Sequence, residues 1–176
     1  IAGSDSSGGA GVQADIKTLN PMKVFATTAI TCVTAQNTVE VNRIIKIPAS
    51  IISAQIESVR KDFNISAIKL GMLYDKEIML AVRQSLKSLR NIPIIIDPVM
   101  ISKSGDNLLK PSAIKFFKEK IVPLAYLLTP NLEEALKLTQ MKRIRNEEDI
   151  KECCIKLSRL GAKNILLKGG HIENPK

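Results

Sequence analysis

Short apolar runs in this chain end repeatedly in residues that can bind ions. After Leu70 comes Gly71-Met72-Leu73, after Ile96 comes Asp97-Pro98-Val99-Met100, after Leu128 comes Thr129-Pro130-Asn131-Leu132-Glu133-Glu134, and after Leu167 comes Lys168-Gly169-Gly170-His171. Carboxylates such as Asp97 and Glu134 can hold a hard cation, and a lysine such as Lys168 can neutralise an oxyanion. Glycines such as Gly169 and Gly170 let backbone N–H groups approach that anion closely. Each group also has an ordinary structural reading. Asp97-Pro98 would serve as a turn, Asn131 as the cap of the helix that follows it, and Glu134 as a first-turn carboxylate favoured by the helix dipole. Four successive occurrences favour a functional rim that handles a metal ion and an anion.

A second cluster lies at the N-terminal end, in Gly3-Ser4-Asp5-Ser6-Ser7-Gly8-Gly9-Ala10-Gly11. It precedes an apolar helical pattern, and a glycine-rich entry to a helix suits a polar or anionic ligand group. Glycines at 3, 8, 9 and 11 match neither Gly-x-Gly-x-x-Gly nor a Walker A loop, which ends in Gly-Lys-Ser/Thr. Asp15 follows four residues beyond Gly11, and Gln36, within Ala35-Gln36-Asn37-Thr38, can present both amide atoms to a heterocycle. His171 is the single histidine and supports no catalytic role by itself. Cys32 and the adjacent pair Cys153-Cys154 form no Cys-x-x-Cys motif, no even disulfide framework and no tetrahedral zinc pattern. They read as small core residues.

These groups need a scaffold, and the apolar pattern supplies one. Continuous runs at 67–70, 93–96, 125–128 and 164–167 read as strands buried on both faces, and 29–34 reads as another. Between them, Ile78/Val82/Leu86/Leu89, Ile114/Phe117/Ile121 and Ile150/Cys153/Leu157/Leu160 recur at helical spacing. Upstream, Val12/Ile16/Leu19 and Ile52/Ile56/Val59/Phe63 mark two more helices. Asp75, Pro111 and Asn146 with Glu147, Glu148 and Asp149 open helices, and Gly161 closes one. Strand-helix-strand order of this kind implies a single α/β domain with a parallel sheet, right-handed crossovers and helices on both faces. Ligands then bind beyond the carboxyl ends of the strands, where both polar clusters fall.

Composition narrows the possibilities. The chain has 176 residues, 45% of them hydrophobic, which excludes disorder and allows a substantial core without disulfide or metal staples. No apolar run approaches the length needed to span a bilayer, and the opening residues are not a signal peptide, so no membrane role is expected. The cysteine pattern suits a reducing cytosol. Lys+Arg number 26 against 17 Asp+Glu, a net charge of +9, but with no Trp, two Tyr and four Phe there is little to stack bases, so nucleic-acid binding is not expected. An anionic substrate would account for the same charge.

Taken in order, the glycine-rich segment through Asp15, Ala35-Gln36-Asn37-Thr38, Gly71-Met72-Leu73, Asp97-Pro98-Val99-Met100, Lys103-Ser104-Gly105, Thr129 through Ala135 and Lys168-Gly169-Gly170-His171 resemble the hydroxymethylpyrimidine/phosphomethylpyrimidine kinases of thiamin biosynthesis, a family within the ribokinase superfamily. The motifs run from residue 1 to residue 171. Ser6 stands where that family often has proline.

The resemblance implies a ribokinase-like fold and a kinase that uses ATP and magnesium. Its substrate would be 4-amino-5-hydroxymethyl-2-methylpyrimidine and then the monophosphate of that compound. Gly3, Ala10, Asp15, Gln36, Met72 and Val99 would form the pyrimidine pocket, with Asp15 and Gln36 bonding the ring nitrogens and amino group. Asp97 and Glu134 would organise magnesium, while Asn131, Lys168, Gly169 and Gly170 would meet ATP. A homodimer is the expected assembly. The family's Gly-Thr-Gly-Cys-Thr segment, which forms the anion hole and carries the catalytic cysteine, does not occur before Lys176. The chain therefore looks truncated at both ends and is expected to bind substrate better than it turns it over. Two rival readings stand beside this one, a pyridoxal or pyridoxine kinase of the same superfamily and a non-catalytic pyrimidine-binding protein.

Overall fold

A computed structural model of the chain describes residues 1–89, 91–102 and 107–169. Strand β1 (Ala2–Asp5) leads through the glycine-rich turn into helix α1 (Gly11–Leu19). Strands β2 (Ile30–Gln36) and β3 (Val41–Lys46) follow, then helix α2 (Ala49–Asp62), strand β4 (Ile68–Leu70), helix α3 (Lys76–Ser85) and strand β5 (Ile94–Ile96). The last part holds the short helix α4 (Ile114–Phe116), strand β6 (Leu127–Leu128), helices α5 (Leu132–Thr139) and α6 (Glu147–Arg159), and strand β7 (Asn164–Ile165).

β1 pairs parallel with β2, and β2 antiparallel with β3. The strands β4, β5, β6 and β7 pair parallel in that order. Two hydrogen bonds join the halves: the Ile1 amino group donates to the Lys69 carbonyl and the Gly71 amide donates to the Ile1 carbonyl, each at 2.9 Å. The result is one mostly parallel sheet in the order β3-β2-β1-β4-β5-β6-β7, as the alternating pattern implies. β2, β4, β5 and β6 begin one or two residues later than their apolar runs, whereas β7 begins with its run and ends two residues sooner.

Two elements depart from the sequence pattern. β3 was not evident because Val41-Asn42-Arg43-Ile44-Ile45-Lys46 is a half-exposed edge ribbon whose polar and apolar residues do not alternate cleanly. The helix at 114–121 opens into a π-type segment at Phe117–Ile121, followed by a 3-10 turn at Val122–Leu124. Pro123 ends regular pairing there, and the wider turn lets Phe117, Ile121 and Val122 all be buried.

Helix starts follow the chemistry of their first residues. Asp75 accepts from the Ile78 amide and Asn146 from the Asp149 amide. Asp75 also pairs with Lys46 at 2.7 Å, tying the β3 edge to α3, and Lys46 reaches Glu77 at 2.9 Å. Burial alone would raise the Asp75 carboxyl, but Lys46 and the Ile78 amide outweigh it and hold it below the usual carboxylate range. The core lies between sheet and helices, with Ile52, Leu70, Ile78, Ile96, Leu128 and Leu157 fully buried. Cys32 and Cys153 are buried and Cys154 partly so; burial raises all three thiols, Cys32 to about 11, which suits packing and not nucleophilic chemistry.

Candidate active site

The glycine-rich turn is built around a carboxylate. Asp5 ends β1 at 4% exposure and accepts from Ser7 N at 2.8 Å, Ser7 Oγ at 2.8 Å, Gly9 N at 3.1 Å and Ala10 N at 2.8 Å. Burial would raise this carboxyl, yet the donors from Ser7, Ala10 and Gly9 prevail and hold it below its ordinary value. The Ser7, Gly9 and Ala10 amides are therefore turned inward onto Asp5 and not toward an anion. Gly11 closes the turn at φ +59°, and a Cβ there would collide with the Gly3 carbonyl oxygen. Gln13 then ties α1 back to β1, accepting from Asp5 N at 2.9 Å and donating to Ser4 Oγ at 2.7 Å.

Gln36 sits at the carboxyl end of β2, and Ser6 fixes it. The Ser6 hydroxyl donates to the Gln36 carbonyl at 2.7 Å and accepts from the Gln36 amide at 2.8 Å. Thr34 Oγ1 lies 3.2 Å from Gln36 Oε1, which orients the side-chain amide. Met72 is held by its backbone, whose carbonyl accepts from the buried Thr31 hydroxyl at 2.7 Å. A Cβ at Gly3 would approach the Met72 sulfur to 3.1 Å, so glycine leaves that thioether its place.

These pieces enclose a cavity of about 360 Å³ at the strand ends. All six residues expected in a pyrimidine pocket line it: Gly3, Ala10, Asp15, Gln36, Met72 and Val99. Asp97 lines it as well, and this carboxylate joins the cavity to the rim. Lys168 Nζ lies 2.9 Å from Asp97 Oδ1, and Lys168 pairs as an isolated parallel bridge with Asn131. Thr129 Oγ1 stands 3.5 Å from the same Asp97 oxygen. Gly169 follows Lys168, while Gly170, His171 and Lys103-Ser104-Gly105 lie outside the described residues.

Asn131 and Glu134 form a reciprocal capping box on α5. Asn131 Oδ1 accepts from Glu134 N at 2.8 Å and Glu134 Oε2 accepts from Asn131 N at 2.8 Å. The ordinary structural reading of this pair is thus present. It does not exhaust Glu134, which is 6% exposed and close enough to Lys168 and Asp97 to feel both charges. Burial is the main reason its carboxyl lies above the usual range; Asn131, Lys168 and Met100 pull it down, and Asp97 pushes it up. A carboxylate left this dry beside a second one is poised to gain from a cation.

Asp97 and Glu134 fit magnesium by donor type, since that ion is commonly held through one or two carboxylates plus substrate phosphates and water. No group of three or more His, Cys, Asp or Glu positioned for a metal occurs among the described residues.

Sequence reasoning did not assign roles to Asp5, Thr34 or Lys69. Lys69 lines the cavity and forms an ion pair with Asp15, Nζ to Oδ1 at 2.6 Å. Its signal was a single charge inside an otherwise apolar strand, Ile68-Lys69-Leu70. For Asp5 the signal was a carboxylate directly ahead of four glycine and serine positions, the arrangement of a side chain that folds its own loop.

A mostly parallel sheet of this order, with a pocket over β1 and β4 and a carboxylate-lysine rim beside it, defines the ribokinase-like class of small-molecule kinases. Two crystal structures share it. A Clostridium difficile phosphomethylpyrimidine kinase matches with a TM-score of 0.89 and 43% identity over 98% of this chain and 74% of that one. An ADP complex of Bacillus subtilis pyridoxal kinase matches with a TM-score of 0.88 and 34% identity over 99% of this chain and 66% of that one. The sequence model of the phosphomethylpyrimidine kinase family matches residues 5–176, and the chain belongs to that family. The hydroxymethylpyrimidine/phosphomethylpyrimidine kinase of Haemophilus influenzae is 46% identical over 174 residues. The match takes in 99% of this chain and 64% of the Haemophilus protein, and the chain spans 35% of a bifunctional thiamine biosynthesis protein of Geobacter sulfurreducens. No described helix is long and apolar enough to cross a membrane.

Proposed function

We propose that the protein takes part in ATP-dependent phosphorylation of the hydroxymethyl group of 4-amino-5-hydroxymethyl-2-methylpyrimidine, and then of the resulting monophosphate, in thiamin biosynthesis in the cytosol. The observation that carries this reading is the shared position of Asp97, which lines the cavity and also pairs with Lys168 on the rim. A substrate held in the cavity would present its hydroxymethyl group toward the same edge at which ATP phosphates are neutralised.

The proposed roles are supported by what lines the cavity and the rim. Met72 and Val99 supply apolar walls for a flat ring, while Gln36, oriented by Thr34 and anchored by Ser6, offers an amide to ring nitrogen and amino groups. Asp15 accepts from the amino group. Lys168 leaves Asp97 to meet the transferring phosphoryl group, with Asn131 and Gly169 beside it. Asp97 and Glu134 would hold magnesium and its waters, which would screen the charge of the ATP phosphates. Catalysis of this kind rests on positioning and charge neutralisation more than on covalent chemistry.

The protein is further proposed to act as a homodimer. Val33 and Ile45, which face each other across β2 and β3, are 44% and 67% exposed, an apolar edge suited to a second copy.

A pyridoxal kinase activity has one observation in its favour, the Bacillus subtilis structure described above. A coupled kinase assay on the whole protein, with the pyrimidine and pyridoxal offered separately, tests the assignment. Higher kcat/KM for the pyrimidine is expected, and a preference for pyridoxal would overturn it.

A further inference from the structure

Lys69 stands on β4 between the buried Ile68 and Leu70, and its own side chain, 40% exposed, lies at the wall of the cavity. Its partner is Asp15 of α1, 54 positions earlier in the chain, at 2.6 Å. The pair bridges α1 and β4 across the wall of the cavity, and both side chains line it. Only Oδ1 of Asp15 is engaged; Oδ2 makes no hydrogen bond to any described residue. A carboxylate held by one oxygen has a fixed plane, and its second oxygen becomes an acceptor of fixed direction.

We propose that Lys69 is a positioning residue which, by holding Oδ1 of Asp15, aims Oδ2 into the cavity as the acceptor that selects rings bearing an exocyclic amino group over rings bearing an oxo group at the same place. The inference rests on the pyrimidine reading of the cavity and extends it to specificity. An amino group donates to the aimed oxygen, whereas a ring carbonyl would set lone pair against lone pair. A site that hydrogen-bonds a polar substituent rejects an analogue lacking the donor much more strongly than an apolar pocket rejects a change of size. A merely structural ion pair would affect folding without any bearing on this choice.

The test is calorimetric titration of 4-amino-5-hydroxymethyl-2-methylpyrimidine and of its 4-oxo analogue into wild type, Lys69→Met, Lys69→Gln and Lys69→Arg, with a melting curve for each. Wild type is expected to prefer the amino compound by roughly 10- to 100-fold. That ratio should fall to within about 3-fold in Lys69→Met and Lys69→Gln, and return toward wild type in Lys69→Arg, which can still hold Oδ1. If Lys69→Met does not fold, Lys69→Gln, which keeps length and polarity, carries the same reading. Lower melting temperatures with the wild-type amino/oxo ratio retained would reduce the pair to a structural one and overturn the inference. A wild type that binds neither ring would instead overturn the pyrimidine reading, and this inference with it.

Discussion

Glu134 serves two purposes that can be separated by one atom. As the third residue of α5 it completes a capping box, and as a buried carboxylate beside Asp97 it is the rim's second cation ligand in the proposed function. Its carboxyl is raised by burial, so the proton binds more readily in the folded state; the charged form costs stability at neutral pH, and the cost is relieved as pH falls through the folded value. Glutamine can still close the capping box. Glu134→Gln should therefore melt at or above the wild-type temperature at pH 7 while losing on the order of 10- to 100-fold in activity and needing more magnesium. Unchanged turnover at unchanged magnesium would leave Glu134 a cap and nothing more. Asp5 has the opposite sign. Its carboxyl is held below the usual value of about 3.9, so its contribution is complete above that value and is lost as pH falls through the folded one. Acid titration of stability should show a shallower loss below about pH 4 in Asp5→Asn than in wild type, from a lower starting point.

The elements show where local pattern sufficed and where it did not. The strands β5 and β6 were legible because parallel strands buried on both faces are continuously apolar, β4 because only Lys69 interrupts such a run, and α6 because Asn146 and three acidic residues announce its start. β3 was not legible, since an exposed antiparallel edge is specified by its partner β2 and by Asp75 reaching Lys46, a contact made 29 residues away. That contact can be tested. Asp75→Asn keeps a capping oxygen for α3 but removes the charge facing Lys46, whereas Asp75→Ala removes both. Chemical denaturation should order them wild type, Asn, Ala, with the Asn-to-Ala step worth about 0.5–2 kcal/mol as for other N-caps. Equal loss in both variants would show that the ion pair alone holds this edge. The bent segment after α4 was read as one regular helix, because spacing of four fits either geometry and only the packing of Phe117, Ile121 and Val122 decides between them.

At the scale of the molecule, most of the candidate site was legible because its residues follow strand ends, and a parallel sheet gathers strand ends on one edge. Gly3 from within β1 and Gln36, Met72 and Val99 from at or beyond the ends of β2, β4 and β5 all line one cavity. Lys69 and Asp5 were not legible, since each acts on a protein group, Asp15 or the turn amides, that only the folded chain brings to it. The net charge of +9 makes an anionic second substrate easier to attract, although Asp97 and Lys168 already pair with each other before any ligand arrives. The measurement that bears most directly on the account is calorimetric binding of 4-amino-5-hydroxymethyl-2-methylpyrimidine, pyridoxal and magnesium-ATP to wild type and Gln36→Ala. The account predicts one pyrimidine site that binds pyridoxal more weakly. It also predicts that Gln36→Ala weakens the pyrimidine by about 1–3 kcal/mol through an unpaired buried ring group, with ATP binding unchanged. Tighter binding of pyridoxal by wild type, or equal weakening of pyrimidine and ATP in Gln36→Ala, would contradict it.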